Sequence, residues 1–180
     1  RKMGAAMGQD PHILEEVCGW VNAVATKPVW AKMTPNITHI EDPARAALRS
    51  SGGGCEGISA INTILSVMSV NLDTLRPEPT VEGYTVPGGY SCKAVRPIAL
   101  RMVMEAATMM YGRDRKSGEF PDRSISGIGG VTDWRDAVDF LALGAGNVQV
   151  CTAAMVYGFR IIDDLTSGLS HFLRDKGMSR

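Results

Sequence analysis

The chain has 180 residues, 44% of them apolar, and balances 19 basic against 19 acidic side chains, which describes an ordinary globular protein of single-domain length. That neutrality suggests neither nucleic acid nor a membrane surface as a partner, and no apolar run approaches the ~20 residues of a membrane span. The opening RKMGAAMGQD has no apolar core of a secretory signal, so a cytoplasmic location is the default expectation.

In chain order, Asp10-Pro11 is an N-cap and first-turn pair, and Ile13, Leu14, Val17, Trp20, Val21 and Val24 recur at helical spacing, predicting a helix to about Ala25. PVWAKM, from Pro28 to Met33, reads as a strand and Pro43 to Arg49 as a helix. After Gly52-Gly53-Gly54, GISAI from Gly57 to Ile61 reads as a second strand. Both strands are too short and too apolar for the edge of a half-solvated sheet. The connection from Ile64 to Gly89 holds Pro77, Pro79 and Pro87 with little periodicity. Such a long loop is expected to have a functional role, here as a partial lid over the rim of the sheet. Pro97 opens a helix with Ile98, Met102, Val103 and Ala106 on one face, ending near Tyr111-Gly112. SISGI (Ser124 to Ile128) is the third strand, Thr132 to Leu143 a helix closed by Gly144, and NVQVC (Asn147 to Cys151) the fourth strand. A last helix runs from about Phe159 to Leu173, with Ile162, Leu165, Leu169, Phe172 and Leu173 as its stripe.

Four strands, each followed by a helix, predict parallel pairing and an α/β fold. A doubly wound open sheet would fit that pattern. Polar or glycine residues close every strand, however: Lys32, Asn62, Gly129-Gly130 and Thr152. In a (β/α)₈ barrel that rim carries the active site, and the last two strand ends often hold a phosphate. Four units are half a barrel. Gly129 and Gly130 would let the backbone approach an anion, and the amides after Cys151 could point at the same anion; a plain tight turn is the alternative for the glycine pair. The four cysteines, Cys18, Cys55, Cys92 and Cys151, form no C-x-x-C pair and read as reduced thiols with no zinc or iron–sulfur ligand set.

The segments AKMTPNITHIEDPARAAL, GISAINTI, LRPEPTVEG, GGYSCKAVRPIAL and SGIGGVTDWRDAVDFLALGAGNVQVCTAAM resemble the flavin-binding barrel of the dihydropyrimidine dehydrogenase family, above all the catalytic subunit of its bacterial NAD-dependent form. The resemblance covers nearly the whole chain. Dihydroorotate dehydrogenases are broader relatives, but INTI, PEPT and VQVCTAAM together favour the pyrimidine-reducing branch.

The resemblance implies that residues 1–180 are part of one FMN-binding TIM-barrel domain, the C-terminal half of a barrel of the dihydroorotate dehydrogenase-like type. Lys32 would lie near the flavin's pyrimidine ring, where a cation stabilises negative charge on the reduced ring. Asn62 and Thr63 would contact substrate, a carboxamide suiting the imide edge of uracil or thymine. Gly129, Gly130, Cys151 and Thr152 would hold the flavin phosphate, Ile128 adding backbone contact and Cys151 contributing its backbone while its thiol stays buried. Cys92 would stand near the same phosphate, where the family usually has glycine. If that position needs a positive φ, the cysteine is strained by roughly 1 kcal/mol or more, at the expense of flavin affinity. The stretch RSSGGGCEG is longer than its family counterpart, as a surface loop tolerates.

Other parts implied by the resemblance are not in this chain. The family moves a proton at C5 of the pyrimidine with a cysteine on a mobile loop upstream of MGQDP, of which Arg1 to Met7 read as the tail, so no catalytic residue is expected here. The first half of the barrel, further substrate asparagines, the iron–sulfur domains, and a dinucleotide site on a flavoprotein partner subunit would also lie elsewhere. The chain thus reads as a fragment, inactive alone, of an oxidoreductase that interconverts uracil or thymine and their 5,6-dihydro forms with NAD(P)H. Two other readings stand beside it. A dihydroorotate-type enzyme would need a partner for its substrate's carboxylate, and none is evident beside Asn62. The other is a non-catalytic phosphate-binding half-barrel.

Overall fold

A computed structural model describes residues 7–178, so the reading of the first residues as a loop tail lies, Met7 aside, outside the described residues. Helix α1 (Pro11–Val24) precedes strand β1 (Trp30–Met33), α2 (Glu41–Arg49) and β2 (Gly57–Ala60). Six short strands follow: β3 (Ile64–Ser66), β4 (Ser69–Asn71), β5 (Arg76–Glu78), β6 (Thr80–Val81), β7 (Tyr84–Thr85) and β8 (Gly88–Tyr90). A 3₁₀ turn (Lys93–Val95) then leads into α3 (Arg96–Tyr111), β9 (Ser124–Ile128), α4 (Trp134–Leu143), β10 (Asn147–Gln149), α5 (Thr152–Tyr157) and α6 (Arg160–Asp175). No described helix is long and apolar enough to cross a membrane.

The four predicted strands pair in parallel in the order β1-β2-β9-β10. Ala31, Met33, Ile58, Ala60 and Ile125 point to one side of this sheet and are buried in a single core with Ala47, Met102, Val103, Ala106 and Phe140 of α2, α3 and α4. Gly127 belongs to the same side, and a Cβ there would come within 2.6 Å of the Phe140 ring, so the strand lies directly on α4. Helices therefore cover one face only, as in a barrel wall and unlike a doubly wound sheet.

The other face is polar. The register aligns Lys32 with Ser59, Ser59 with Ser126, and Ser126 with Asn147, one row across all four strands. Burial in β1 alternates, with Trp30 and Lys32 exposed and Ala31 and Met33 buried. This corrects the expectation that β1 avoids an edge: among the described residues it pairs only with β2, and its alternation follows from helices lying on one side.

Three apolar stripes differ from expectation. On α1, Trp20 and Val24 are 63% and 82% exposed, while Cys18 and Gly19 are the buried residues, Gly19 lying against Ser51 just past α2. Ile98 of α3 is exposed, whereas Met102, Val103 and Ala106 are buried as predicted. On α6 the buried residue is Ile161 and not Ile162, because α6 docks on α4 through Trp134, whose ring lies over Gly168 and 6.0 Å from the Phe172 ring. Helix α4 starts at Trp134, two residues after the predicted Thr132, with N-cap Asp133 accepting from the amides of Arg135 and Asp136 at 2.8 and 3.2 Å.

The connection after β2 is an arm of three antiparallel ladders, β3 with β8, β4 with β5, and β6 with β7. Strands of two or three residues are too short to show alternation in a sequence, which is why it reads as irregular. The loop around Gly52-Gly53-Gly54 docks on α1, where Asn22 Nδ2 donates to Ser50 Oγ at 3.1 Å.

Candidate functional site

A cleft opens at the C-terminal ends of the parallel strands. Lys32 reaches it from β1, Asn62 and Thr63 from just past β2, Ile128, Gly129 and Gly130 from the end of β9, Cys151 and Thr152 from beyond β10, and Cys92 from the start of the 3₁₀ turn. All nine residues singled out by sequence line this one cleft. Tyr90, Ser91, Thr132 and Gln149 also line it and were missed. No acidic side chain lines it, and Lys32 has no carboxylate partner among the described residues. The electrostatics favour a negative ligand.

The glycine pair has a conformation of its own. Gly129 and Gly130 have φ of +137° and +77°. A Cβ on Gly129 would sit 2.8 Å from Ala99 Cβ, and one on Gly130 would sit 2.9 Å from both Arg96 Cβ and the Cys92 carbonyl oxygen. The chain presses against the first turns of α3, leaving bare backbone toward the cleft. Cys92, with φ 73° and ψ −166°, lies in a region that is nearly glycine's alone. The strain anticipated for a non-glycine residue there is present.

Behind the glycines, Asp136 is buried and fixes the next loop. It accepts from the Thr132 amide and hydroxyl at 2.9 and 2.6 Å and pairs with Arg96 at 3.1 Å, while Lys93 Nζ donates to Thr132 Oγ1 at 3.2 Å. Burial pushes the Asp136 carboxyl up, but the Thr132 hydrogen bonds and the Arg96 and Lys93 charges outweigh it and hold the group below its ordinary value. Arg96 also pairs with Asp139, tying α3 to α4 beneath the cradle.

Asn62 Oδ1 accepts from the Thr63 amide at 2.8 Å, so the acceptor half of its carboxamide is engaged locally and the Nδ2 donor remains for the cleft. The root of the arm is clamped by Asn36. Its Nδ2 donates to the Thr63 carbonyl at 3.1 Å and its Oδ1 accepts from the Leu65 amide at 2.9 Å. Asn36 gave no signal in the sequence beyond a turn composition after a proline. Both roots of the arm, Thr63 and Tyr90, border the cleft, on the side of the rim expected for a lid.

The thiols divide into two pairs. Cys92 and Cys151 are exposed at the cleft, which corrects the expectation of a buried Cys151 thiol. Its strand ends at Gln149, so Cys151 has already left the sheet. Cys18 and Cys55, 37 positions apart in sequence, are buried together. Their shared hydrogen bond lowers Cys18 and, with burial, raises Cys55. Among the described residues no cluster of His, Cys, Asp and Glu could hold a metal ion.

A wall of β/α units with its cleft at the strands' C-terminal ends defines four units, half the circuit, of a TIM barrel. The chain belongs to the dihydroorotate dehydrogenase family, whose model matches residues 1–173. It is 58% identical over 179 residues to the chloroplastic dihydropyrimidine dehydrogenase (NADP(+)) of Arabidopsis thaliana. It is 46% identical over 175 residues to the NAD-dependent dihydropyrimidine dehydrogenase subunit PreA of Escherichia coli K12. To the catalytic subunit of dihydroorotate dehydrogenase B (NAD(+)) of Pyrococcus horikoshii it is 38% identical over 176 residues. These alignments cover 99%, 97% and 98% of the chain but 40%, 40% and 52% of the relatives, so the chain spans about half or less of the curated relatives it matches. The dihydropyrimidine dehydrogenase resemblance thus holds over nearly the whole chain, and it is stronger for the plant enzyme than for the bacterial subunit.

Proposed function

We propose that these residues form the FMN-binding half-barrel of a dihydropyrimidine dehydrogenase, an oxidoreductase interconverting uracil or thymine and their 5,6-dihydro forms with NAD(P)H. The observation that carries this reading is the acid-free cleft, lined both by a lysine with no carboxylate partner among the described residues and by a glycine pair held so tightly against α3 that no Cβ fits and bare backbone faces the cleft. Those residues fit a phosphate-bearing flavin. When bound, FMN supplies hydride exchange with a planar heterocycle.

In this reading the chain's own residues bind and orient. Backbone at Ile128, Gly129, Gly130, Cys151 and Thr152 receives the phosphate, with Cys92 beside it. Lys32 offsets negative charge on the reduced ring, and Asn62 Nδ2 and Thr63 hold the pyrimidine edge. The arm covers the substrate side from its roots at Thr63 and Tyr90. None of the four cysteines suits protonation at C5: Cys18 and Cys55 are buried, and Cys92 and Cys151 flank the phosphate end. Proton transfer then falls to a loop cysteine outside these residues, and electrons arrive from iron–sulfur centres and a dinucleotide site also outside them, in the bacterial arrangement on a partner flavoprotein subunit. Identities of 58% and 46% to dihydropyrimidine dehydrogenases, against 38% to a dihydroorotate dehydrogenase, support the pyrimidine-reducing branch. The cytoplasm is the location proposed from the chain alone, while the Arabidopsis relative is named chloroplastic.

The test is an anaerobic assay with chemically reduced FMN that follows the loss of uracil absorbance, run on residues 1–180 and on the complete polypeptide. Turnover by the complete polypeptide and none by the 180 residues is expected, since general acid catalysis alone is worth about 10²–10⁴-fold. Comparable turnover by both would overturn the assignment of proton transfer to an outside loop. Failure of the complete polypeptide to reduce uracil while reducing orotate would favour the dihydroorotate-type reading.

A further inference from the structure

The polar face of the sheet contains a hydrogen-bonded array that the roles above do not use. Gln149, at the end of β10, donates from Nε2 to Ser59 Oγ of β2 and to Ser126 Oγ of β9, both at 2.8 Å. Ser126 in turn donates to Asn147 Oδ1. Because the Ser126 proton goes to Asn147, Ser126 can only accept from Gln149, and the carboxamide is fixed with its nitrogen toward the serines. Three strands contribute to holding one amide. Its oxygen has no donor among the described residues, and Gln149 lines the cleft with Lys32, whose register partner is Ser59.

Barrel interiors are ordinarily filled with Val, Ile and Leu. Gln149 is exposed at the cleft while Ser59 and Ser126 are buried, so its Nε2 is anchored in the sheet and its Oε1 is open to whatever enters the cleft. Here both donors are engaged and the acceptor is presented. We propose that Gln149 contacts the bound ring system directly, its Oε1 accepting from a ring N–H on the same face as the Lys32 ammonium, with Ser59 and Ser126 as positioning residues. This rests on the reading that a flavin occupies the cleft. A cation from β1 and a fixed acceptor from β10, lining one cleft, would then read the polar edge of the ring, the cation favouring the reduced form and the acceptor setting the ring's orientation.

The experiment uses the complete polypeptide with Gln149→Leu, Gln149→Glu and Ser126→Ala. FMN affinity is read by fluorescence quenching, with the visible spectrum and midpoint potential of the bound flavin. Gln149→Leu should weaken FMN about tenfold, the loss of one hydrogen bond to a sequestered group, and displace the visible band. Gln149→Glu should lower the midpoint potential, because a carboxylate beside the ring opposes electron uptake. Ser126→Ala should move affinity in the same direction by less, since Ser59 still holds the amide. Should Gln149→Leu fail to fold by circular dichroism, the polar Gln149→Glu and the mild Ser126→Ala carry the test. Wild-type affinity, spectrum and potential in the folded Gln149 variants would overturn the proposal while leaving the flavin reading intact. A wild-type protein that binds no FMN would overturn the flavin reading, and this proposal with it.

Discussion

The carbonyl oxygen of Cys92 faces the position where Gly130 would carry a side chain, 2.9 Å from a Cβ built there. The two residues sit 38 positions apart, on either side of α3, and each has a positive φ. Each therefore depends on the other's backbone.

Gly130→Ala introduces that Cβ at a φ of +77°. We expect a loss of stability of about 1–3 kcal/mol and a larger loss of FMN binding, because the backbone must move away from Cys92 and the cradle opens. Thermal melting and FMN fluorescence titration check both, and an alanine variant with unchanged FMN affinity would show that this backbone does not hold the ligand.

Cys92→Gly acts in the opposite sense. Removing a side chain from φ 73° and ψ −166° relieves strain of about 1 kcal/mol or more, which for a chain of this size raises the melting temperature by about 2–4 °C per kcal/mol. FMN should bind more tightly. In the wild-type protein, alkylation of the exposed Cys92 thiol should slow when FMN is added, as peptide mass mapping would measure.

Asp136→Asn tests the loop behind the cradle. The folded-state pKa of Asp136 is depressed, so its stabilisation is full above its unfolded pKa of about 3.9 and disappears as pH falls through the lower folded value. The variant should be less stable by about 1–3 kcal/mol at pH 7. Urea denaturation should show a constant gap between wild type and variant from about pH 5 to 8, narrowing below about pH 4. A gap that persists at the lowest pH would mean that the charge on Asp136 is not what holds Thr132.

Asn36→Ala removes both bonds that clamp the arm root. Amide exchange at Leu65 should accelerate on the order of tenfold, while amides in β9 keep their protection. Equal exchange at Leu65 in both proteins would assign the rigidity of the root to the β3–β8 ladder alone.

The parts of this molecule legible in its sequence are those whose signals are local. Ser124 to Ile128 and the Gly144 stop announce strand and helix within a few residues, and Lys32, Asn62, Gly129, Gly130, Cys151 and Thr152 stand at strand ends closed by small or polar side chains, while Thr63, Cys92 and Ile128 were marked only by the family resemblance. Signals that depend on neighbours were lost. Gln149, Ser59 and Ser126 lie 90 and 23 positions apart along the chain and become one array only through strand register, which no single strand encodes. On α6 the predicted stripe holds from Leu165 to Leu173 and fails only at its start, where Ile161 and not Ile162 is buried. On α1, apolar spacing predicted the helix but not its orientation, since Gly19 permits the close approach and the larger side chains cannot.

The antiparallel pairing of Ser66 with Gly88 bears on how such barrels diversify. Everything beyond that pair, Val67 to Pro87, leaves and re-enters the fold through two adjacent backbones, with Tyr90 and Thr63 already fixed below it. A short turn joining Ser66 to Gly88 would close the β3–β8 ladder, and doubling the length of such a connection costs only about 0.6 kcal/mol in closure entropy. The arm is thus an exchangeable cassette: chimeras spliced at Ser66 and Gly88 can swap what the barrel displays above its rim while the strands, the glycine cradle and Lys32 keep their places.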